Sequence, residues 1–455
     1  PQPRPRAGKS HPTAPGRRAS LRVQPDGKES AMTRETDGRW TRRRVLGAAG
    51  GLVAAGAWTP DVLAAAASPQ GQKVQFPPIS APTEREKSLP NPLPPEQRVG
   101  WAIVGLGRLS LEELLPAFAE SRHSRLVALV SGDRAKAQTV ARQYGVPEKN
   151  LYDYKSYDAL KDNPDVQVVY IVLPNSMHAE YTIRGAQAGK HVFCEKPMAN
   201  TVAECQQMID ACKKAGRKLA VAYRLQYEPH HRALIAMARN KELGTLKLLS
   251  ADNGQHQGDP NHWRLKRALA GGGALPDVGI YCLSAARYLS GEEPVEVMGV
   301  SYSTPGDARF KEVDESFSFQ LRFPSGFIAN CTTGYSVHET RRMRLMGSDA
   351  YVEMDPAFAY QGLRMKIGRK SQASGKAEDA IERSYPQKSQ FAREMDHFSQ
   401  CVKEDKAPHT PGEEGLADMR VIEALYRSAR EGKPVKLEAQ KKLDAFRGPP
   451  PQEES

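Results

Sequence analysis

The chain has 455 residues, 39% hydrophobic and 26% charged, the composition of a soluble globular protein with room for two or more domains. Its formal charge of +12 is no nucleic-acid footprint: residues 1–44 hold 12 Lys/Arg against 4 Asp/Glu, a net of +8, which leaves +4 for the rest. The six cysteines contain no CxxC pair, and His230, His231, His256 and His262 lack ligand spacing, so neither a disulfide framework nor a metal site is expected.

The chain starts with a basic extension. Thr41-Arg42-Arg43-Arg44-Val45-Leu46 precedes an uncharged apolar run from Gly47 to Trp58 and then Ala64-Ala65-Ala66-Ala67. A basic region, a short apolar core and small residues for cleavage make an export signal, and the paired arginines resemble the twin-arginine type. Counted from Val45 to Trp58 the apolar stretch is 14 residues, too short to span a membrane, so no stable membrane anchor is expected after cleavage. Met32 stands nine residues before Thr41, and residues 1–31 are read as an upstream extension. Residues 1–67 are thus extension and signal, and the expected location is the periplasm. A nucleotide-binding protein exported folded must load its nucleotide in the cytoplasm, and cannot exchange it afterwards.

Residues 68–98 carry Pro77, Pro78, Pro82, Pro90, Pro92, Pro94 and Pro95. Missing N–H donors and fixed φ angles predict an extended arm, either a linker or a strap across a neighbouring subunit.

From Val99 the pattern alternates strand and helix, which predicts a doubly wound parallel sheet of the Rossmann type over residues 99–223. Trp101-Ala102-Ile103-Val104 reads as a buried strand, Gly105-Leu106-Gly107-Arg108-Leu109-Ser110 as a glycine turn, and Leu111 to Phe118 as a helix. That order points free N–H groups at a pyrophosphate. Ser110 replaces the third glycine of the fingerprint, where a small side chain suffices. Further strands are predicted at Arg125–Val130, Val166–Val172, His191–Cys194 and Leu219–Tyr223, with helices at Met177–Ala188 and Val202–Ala215.

The second strand ends in Ser131-Gly132-Asp133-Arg134-Ala135-Lys136. A hydroxyl at Ser131 with Arg134 and Lys136 one turn on suits the 2′-phosphate of NADP, whereas Asp133 would favour the free ribose of NAD. NADP is the preferred reading. In Leu173-Pro174-Asn175-Ser176-Met177-His178, Asn175 or Ser176 is placed to cap the next helix. Cys194-Glu195-Lys196-Pro197 puts a lysine at the carboxyl edge of the sheet, where open α/β folds bind ligands.

Beyond Tyr223, over residues 224–445, the pattern becomes α+β, with a large and mostly antiparallel sheet. Strands are expected at Leu246–Ala251, Ser316–Phe323 and Phe327–Cys331, helices at Phe391–Lys403 and Gly415–Arg430, a polar loop at 369–388, and a tail at 446–455. The glycine loop Gly271-Gly272-Gly273 enters a helix on which Asp277 and Tyr281, four apart, share a face.

Together AIVGLGRLS, LVSGDRAK, YIVLPNSMHAE, GKHVFCEKPMA, VAYRLQYEP, HWRLKRALAGGGALPDVGIYCLSAARYLSGEEP and PGEEGLADMRVIEALYRSAREGKPV resemble the glucose–fructose oxidoreductase group of the Gfo/Idh/MocA superfamily. Many members have histidine where this chain has Tyr281, and tyrosine points to that group. The resemblance implies tightly held NADP and two sugars processed in alternation, an aldose oxidised to its lactone and a second sugar reduced to a polyol. By position Lys196, Asp277 and Tyr281 inherit the catalytic roles. Gly105, Gly107, Arg108, Leu109, Ser131, Gly132, Arg134, Lys136, Leu173, Asn175, His178, Glu195 and Lys196 inherit cofactor roles, with Tyr223, Arg224, Trp263 and Arg264 near the nicotinamide. The loop 254–262 differs from that group and leaves sugar preference open.

Chemistry assigns the same parts: Tyr281 accepts the sugar hydroxyl proton, helped by a nearby ammonium; Lys196 polarises the oxygen; Asp277 orients Lys196 or a substrate hydroxyl. Two alternatives stay open at this level, a sugar dehydrogenase with dissociable NADP and a non-catalytic nucleotide- or sugar-binding protein. The partners expected are small sugars and further copies of the chain, as a dimer or tetramer, and no nucleic acid.

Overall fold

The computed structural model describes residues 92–371 and 377–451, so the export signal and most of the arm lie outside the described residues. The first sheet has six strands, β1 (Val99–Val104), β2 (Ser124–Val130), β3 (Leu151–Tyr152), β4 (Val168–Ile171), β5 (His191–Cys194) and β6 (Leu219–Val221). All pair in parallel, in the order β3-β2-β1-β4-β5-β6. The order reverses direction between β1 and β4, which opens a crevice at the carboxyl ends of the strands. The expected doubly wound sheet is therefore present.

Its flanking helices are α1 (Leu115–Glu120), α2 (Arg134–Tyr144), α3 (His178–Gln187) and α4 (Val202–Lys214). Local chemistry starts two of them. Asp133 caps α2 by accepting the Lys136 N–H, and Thr201 caps α4 by accepting the Glu204 N–H. In return the Glu204 carboxylate accepts from the Asn200 N–H and the Thr201 hydroxyl. The cap expected at Asn175 or Ser176 does not form.

After α5 (Pro229–Arg239) comes β7 (Leu246–His256), then the short α6 (Arg267–Ala270) and α7 (Ile280–Ser290). Next are β8 (Glu296–Tyr302), β9 (Ser316–Arg322), β10 (Ile328–Gly334), β11 (Ser336–Gly347), β12 (Ala350–Met354), β13 (Met365–Lys370) and β14 (Glu378–Arg383). The last elements are α8 (Gln390–Lys403), α9 (Gly412–Glu431) and β15 (Val435–Lys436). The nine strands form a second sheet in the order β14-β13-β12-β11-β7-β10-β9-β8-β15, antiparallel except for β7 with β10. Along β9, Phe317, Phe319 and Leu321 are buried while Ser318, Gln320 and Arg322 are exposed. One face of this sheet thus meets the protein and the other is open.

Three expectations need correction. The polar segment 369–388 is not all loop, because it contains the end of β13 and the whole of β14. β14 is an edge strand exposed along most of its length, so it has no apolar alternation to read. Pro95–Gln97 forms a single 3₁₀ turn where an extended arm was expected, and proline at its first position forfeits no hydrogen bond. The first residues of the tail are docked: Arg447 donates to Glu414 at 2.9 and 3.1 Å, and the Gly448 N–H to the His409 carbonyl.

Helix α8, late in the sequence, returns to cover β1. Trp101 is fully buried, donates its indole N–H to Ser399 at 2.9 Å, and packs edge-on against Phe118, Tyr170, Phe193 and Phe398. Asp396, also on α8, accepts the Arg122 and His123 N–H groups ahead of β2. This packing fastens α8 to the first sheet. All six cysteines are buried and free. Among the described residues no helix is long and apolar enough to cross a membrane.

Candidate active site

The glycine turn after β1 is built for a close approach. Gly105 has φ +102, and a Cβ there would lie 2.3 Å from the Val172 carbonyl oxygen on β4's exit. Ser110 is buried and donates its hydroxyl to the Gly105 carbonyl at 2.6 Å. It therefore latches the turn to the helical start rather than merely filling a glycine position. At Gly107 an added Cβ would find no protein atom within 4 Å. The backbone there borders open space, the cradle a pyrophosphate needs. Arg108 is exposed and pairs with Glu112 at 2.8 Å, while Leu109 packs partly against the core beneath.

At the end of β2, Ser131 is buried and its hydroxyl accepts the Asp133 N–H. Asp133 is turned onto its own helix, where one carboxylate oxygen caps α2. Arg134 is also turned away: it donates to the Leu151 carbonyl at 2.9 Å and pairs with Glu148 at 3.2 Å. Gly132 leaves room for Tyr154, whose ring would be 3.0 Å from an added Cβ. The groups available to a 2′-phosphate are thus the Ser131 hydroxyl and the exposed Lys136. With the Gly107 cradle, this set fits a phosphorylated dinucleotide.

Two residues assigned to the cofactor are committed to the scaffold. Asn175, instead of capping a helix, donates to the Ala270 carbonyl at 3.0 Å and ties the crevice floor to α6. His178 is buried, with its ring nitrogens 2.9 Å from the carbonyl oxygens of Leu173 and Pro197. Burial lowers its pKa. It pins the end of β4, where Leu173 is itself buried, to the loop that carries Lys196.

The three residues expected to do chemistry converge, although 81 positions separate Lys196 from Asp277. Lys196 Nζ donates to the Asp277 carbonyl at 2.9 Å, lies 3.6 Å from its carboxylate, and stands 4.7 Å from the centre of the Tyr281 ring. Burial alone would pull the ammonium's pKa down, but Tyr281, Asp277 and Glu195 outweigh it and hold it above the usual lysine value. Asp277 also pairs with Arg264 at 3.0 Å and accepts from the Tyr335 hydroxyl at 2.8 Å. Burial pushes its carboxyl up, yet Arg264 and Lys196 together hold it well below the ordinary carboxylate range. Trp263 stacks on His262 and under the Arg264 guanidinium, 4.4 Å from its ring centre, which steadies the arginine.

Arg224 is the second cation at Tyr281. It is buried, donates from Nε to the Tyr281 hydroxyl at 3.3 Å, and lies 4.8 Å from the ring centre. Its other nitrogens are held by the Phe358 carbonyl at 2.7 Å, the Ala359 carbonyl at 3.2 Å and the Gln390 amide oxygen at 2.5 Å. The Tyr360 ring sits 4.5 Å away. Beneath, Glu195 accepts from Tyr170 at 2.8 Å, and burial raises its pKa. Tyr223 also borders this region, next to Lys196, Gln226, Tyr281 and Ser284.

Sequence reading did not find Tyr335, Tyr360 or Gln390. Each acts through a partner more than 50 residues away, and no local spacing announces that. The triple glycine has a structural cause: a Cβ at Gly273 would lie 1.9 Å from the Asp314 carbonyl oxygen, and the Asp314 carboxylate accepts the N–H groups of Gly273 and Leu275.

Residues 99–223 match the oxidoreductase-family NAD-binding Rossmann domain, and residues 231–353 the Gfo/Idh/MocA C-terminal domain. The chain is 31% identical over 346 residues to D-xylose 1-dehydrogenase (NADP+) 2 of Haloferax volcanii, covering 74% of this chain and 99% of that protein. A D-xylose 1-dehydrogenase [NADP+] of Haloarcula marismortui is 29% identical, over 75% of this chain and 93% of its own length. Among solved structures, the aldose-aldose oxidoreductase of Caulobacter crescentus complexed with glycerol is 49% identical, with a TM-score of 0.72 over 75% of this chain and all of that one. The chain belongs to the Gfo/Idh/MocA family of NAD(P)-dependent oxidoreductases.

Proposed function

We propose that this protein is an exported sugar oxidoreductase that keeps its NADP, oxidising an aldose to its lactone and reducing a second sugar to a polyol. The observation that carries the chemistry is the meeting of Lys196, Asp277 and Tyr281 at one point of the crevice. Two similar proteins are named as NADP-using xylose dehydrogenases and a third as an aldose-aldose oxidoreductase, which supports a sugar as substrate.

The backbone at Gly105 and Gly107 would hold the pyrophosphate, and Ser131 with Lys136 the 2′-phosphate. Bound there, the nicotinamide supplies hydride acceptance from a sugar carbon and hydride return to another. Tyr281 takes the proton of the anomeric hydroxyl during oxidation and gives it back to a carbonyl oxygen during reduction. Lys196 and Arg224 place positive charge around that exchange, and Lys196 donates to the sugar oxygen. Asp277, held by Arg264 and Tyr335, fixes the lysine in position.

The basic leader at residues 41–67 supports export to the periplasm. Captivity of the cofactor follows from that reading, since none is supplied outside the cytoplasm. The open face of the second sheet, where Met298, Val300 and Tyr302 are exposed, supports a homo-oligomer.

The test is to purify the protein without added nucleotide, record its ultraviolet spectrum, and add single sugars. Excess absorbance at about 260 nm and reduced-nicotinamide absorbance on adding an aldose, reversed by an acceptor sugar, are expected. Activity that depends on added NADP would instead support a dehydrogenase with dissociable cofactor. No redox change under either condition would overturn the assignment.

A further inference from the structure

Behind the catalytic pair lies a small cavity lined by Lys196, Tyr223, Leu225, Gln226, Ile280, Tyr281, Ser284 and Tyr288. It has room for a single water molecule. Two residues of its wall carry buried polar atoms without a protein partner, Gln226 Oε1 and Ser284 Oγ, while the Tyr223 hydroxyl is directed at the Asp418 carboxylate. Buried polar atoms are seldom left unpaired, and two beside one water-sized space, with the Tyr223 hydroxyl on the same wall, mark a water site.

On the far side stands a buried ionic cluster that the proposed reaction does not use. Arg287 is fully buried and pairs with Glu293 at 2.6 Å, Glu414 at 2.9 Å and Asp418. Arg447 adds a second pair to Glu414 at 2.9 Å and one to the half-exposed Asp444 at 3.0 Å, which Arg239 also holds. Gln226, from the cavity wall, donates to Glu414 at 3.2 Å. Arg287 and Arg447 thus face Glu293, Glu414 and Asp418, two cations against three carboxylates, and the Asp418 oxygen that Arg287 does not hold is left to the Tyr223 hydroxyl.

We propose that a water in this cavity joins the Lys196–Tyr281 pair to Asp418 through the Tyr223 hydroxyl, making Asp418 the proton store of the reaction and a positioning residue for it. This rests on the sugar-oxidoreductase reading. In the oxidative half, the anomeric C–H electron pair leaves as hydride to the nicotinamide and the hydroxyl proton goes to Tyr281. That proton moves on by making and breaking O–H bonds at the water and at Tyr223, and ends on the Asp418 carboxylate. The reductive half runs the same bonds backwards, so every carrier returns to its starting state. Burial, with the push of Glu414 and against the pull of Arg287, raises the Asp418 carboxyl to about 6, in the range a reversible store requires.

The test has two arms. In the first, infrared titration of the purified parent should show a carboxylic-acid carbonyl band that disappears with a midpoint near pH 6. The band should be missing in Asp418→Asn and shifted in Tyr223→Phe. In the second, stopped-flow reduction of the nicotinamide by an aldose should slow about tenfold in Tyr223→Phe and Ser284→Ala. Both should lose the inflection near pH 6, with sugar KM and melting temperature close to the parent's. Parental rates and pH profiles in both variants, or the lack of a titrating band, would overturn the relay. A parent that no aldose reduces would instead sink the proposed function, while the infrared titration still decides the state of Asp418.

Discussion

Arg224 donates from Nε to the Tyr281 hydroxyl at 3.3 Å while two backbone carbonyls and Gln390 grip the rest of its guanidinium. Four of its five N–H donors are engaged, so its charge is held beside the phenol. A lysine keeps the charge but cannot reach these acceptors from one nitrogen. Arg224→Lys should lower kcat by about 100-fold, the low end of a proton-transfer contribution. Sugar KM should change much less. Steady-state kinetics with a melting curve check this, and an unaltered kcat would remove Arg224 from the proton step.

Asp277 is the counter-ion of both Lys196 and Arg264. Asp277→Asn leaves two cations facing a neutral amide, and breaking a largely buried pair costs about 3 kcal/mol. Its folded pKa lies below the ordinary 3.8, so its stabilisation is present above that value and is lost as pH falls through the folded pKa. The stability gap between parent and variant should therefore be full at neutral pH and narrow in acid, below 3.8. Urea unfolding at neutral and acid pH measures it, and a gap that does not vary with pH would contradict the pairing.

The two glycines of the turn should respond differently to alanine. At Gly105 the positive φ and the contact 2.3 Å from Val172 O leave no room, so Gly105→Ala should cost at least about 1–3 kcal/mol. At Gly107 a methyl meets no protein atom. Gly107→Ala should melt like the parent yet bind NADP more weakly, because the methyl occupies space left for phosphate. Thermal unfolding and nucleotide titration separate the two. Equal NADP affinity in Gly107→Ala would place the pyrophosphate elsewhere.

Much of this was legible in the sequence because it is local. The run Trp101–Val104 into Gly105 and Gly107, and the lysine closing β5, follow from patterns within a few residues. Ser110 was legible as small but not as a latch, since its partner is a backbone carbonyl that only the folded turn presents. Arg134 looked like a phosphate ligand by spacing, yet Leu151 on β3 and Glu148 in the turn before it claim it. The β13–β14 hairpin hid because an edge strand exposed to water has no alternation. Arg447 looked like tail because its partner, Glu414, is 33 residues earlier. What escaped was long-range pairing among polar groups, which leaves no periodic trace.

Glu394 illustrates that blind spot and yields the last prediction. It lies on α8, fully buried, within 3.4 Å of the Tyr170 hydroxyl that also serves Glu195. Burial first, then the neighbouring Glu195 carboxylate, push its pKa well above 4.5 against the pull of Arg224. A raised acid contributes stability that is full below its unfolded pKa and declines as pH rises toward the folded one, because the unfolded chain sheds the proton first. The slope is up to about 1.4 kcal/mol per pH unit. Glu394→Gln keeps the shape and stays neutral, so it escapes that decline. Its stability relative to the parent should therefore improve from pH 5 to pH 8 in denaturant melts. A constant offset between the two proteins from pH 5 to pH 8 would mean that Glu394 is already ionised beneath the active site, balanced by Arg224.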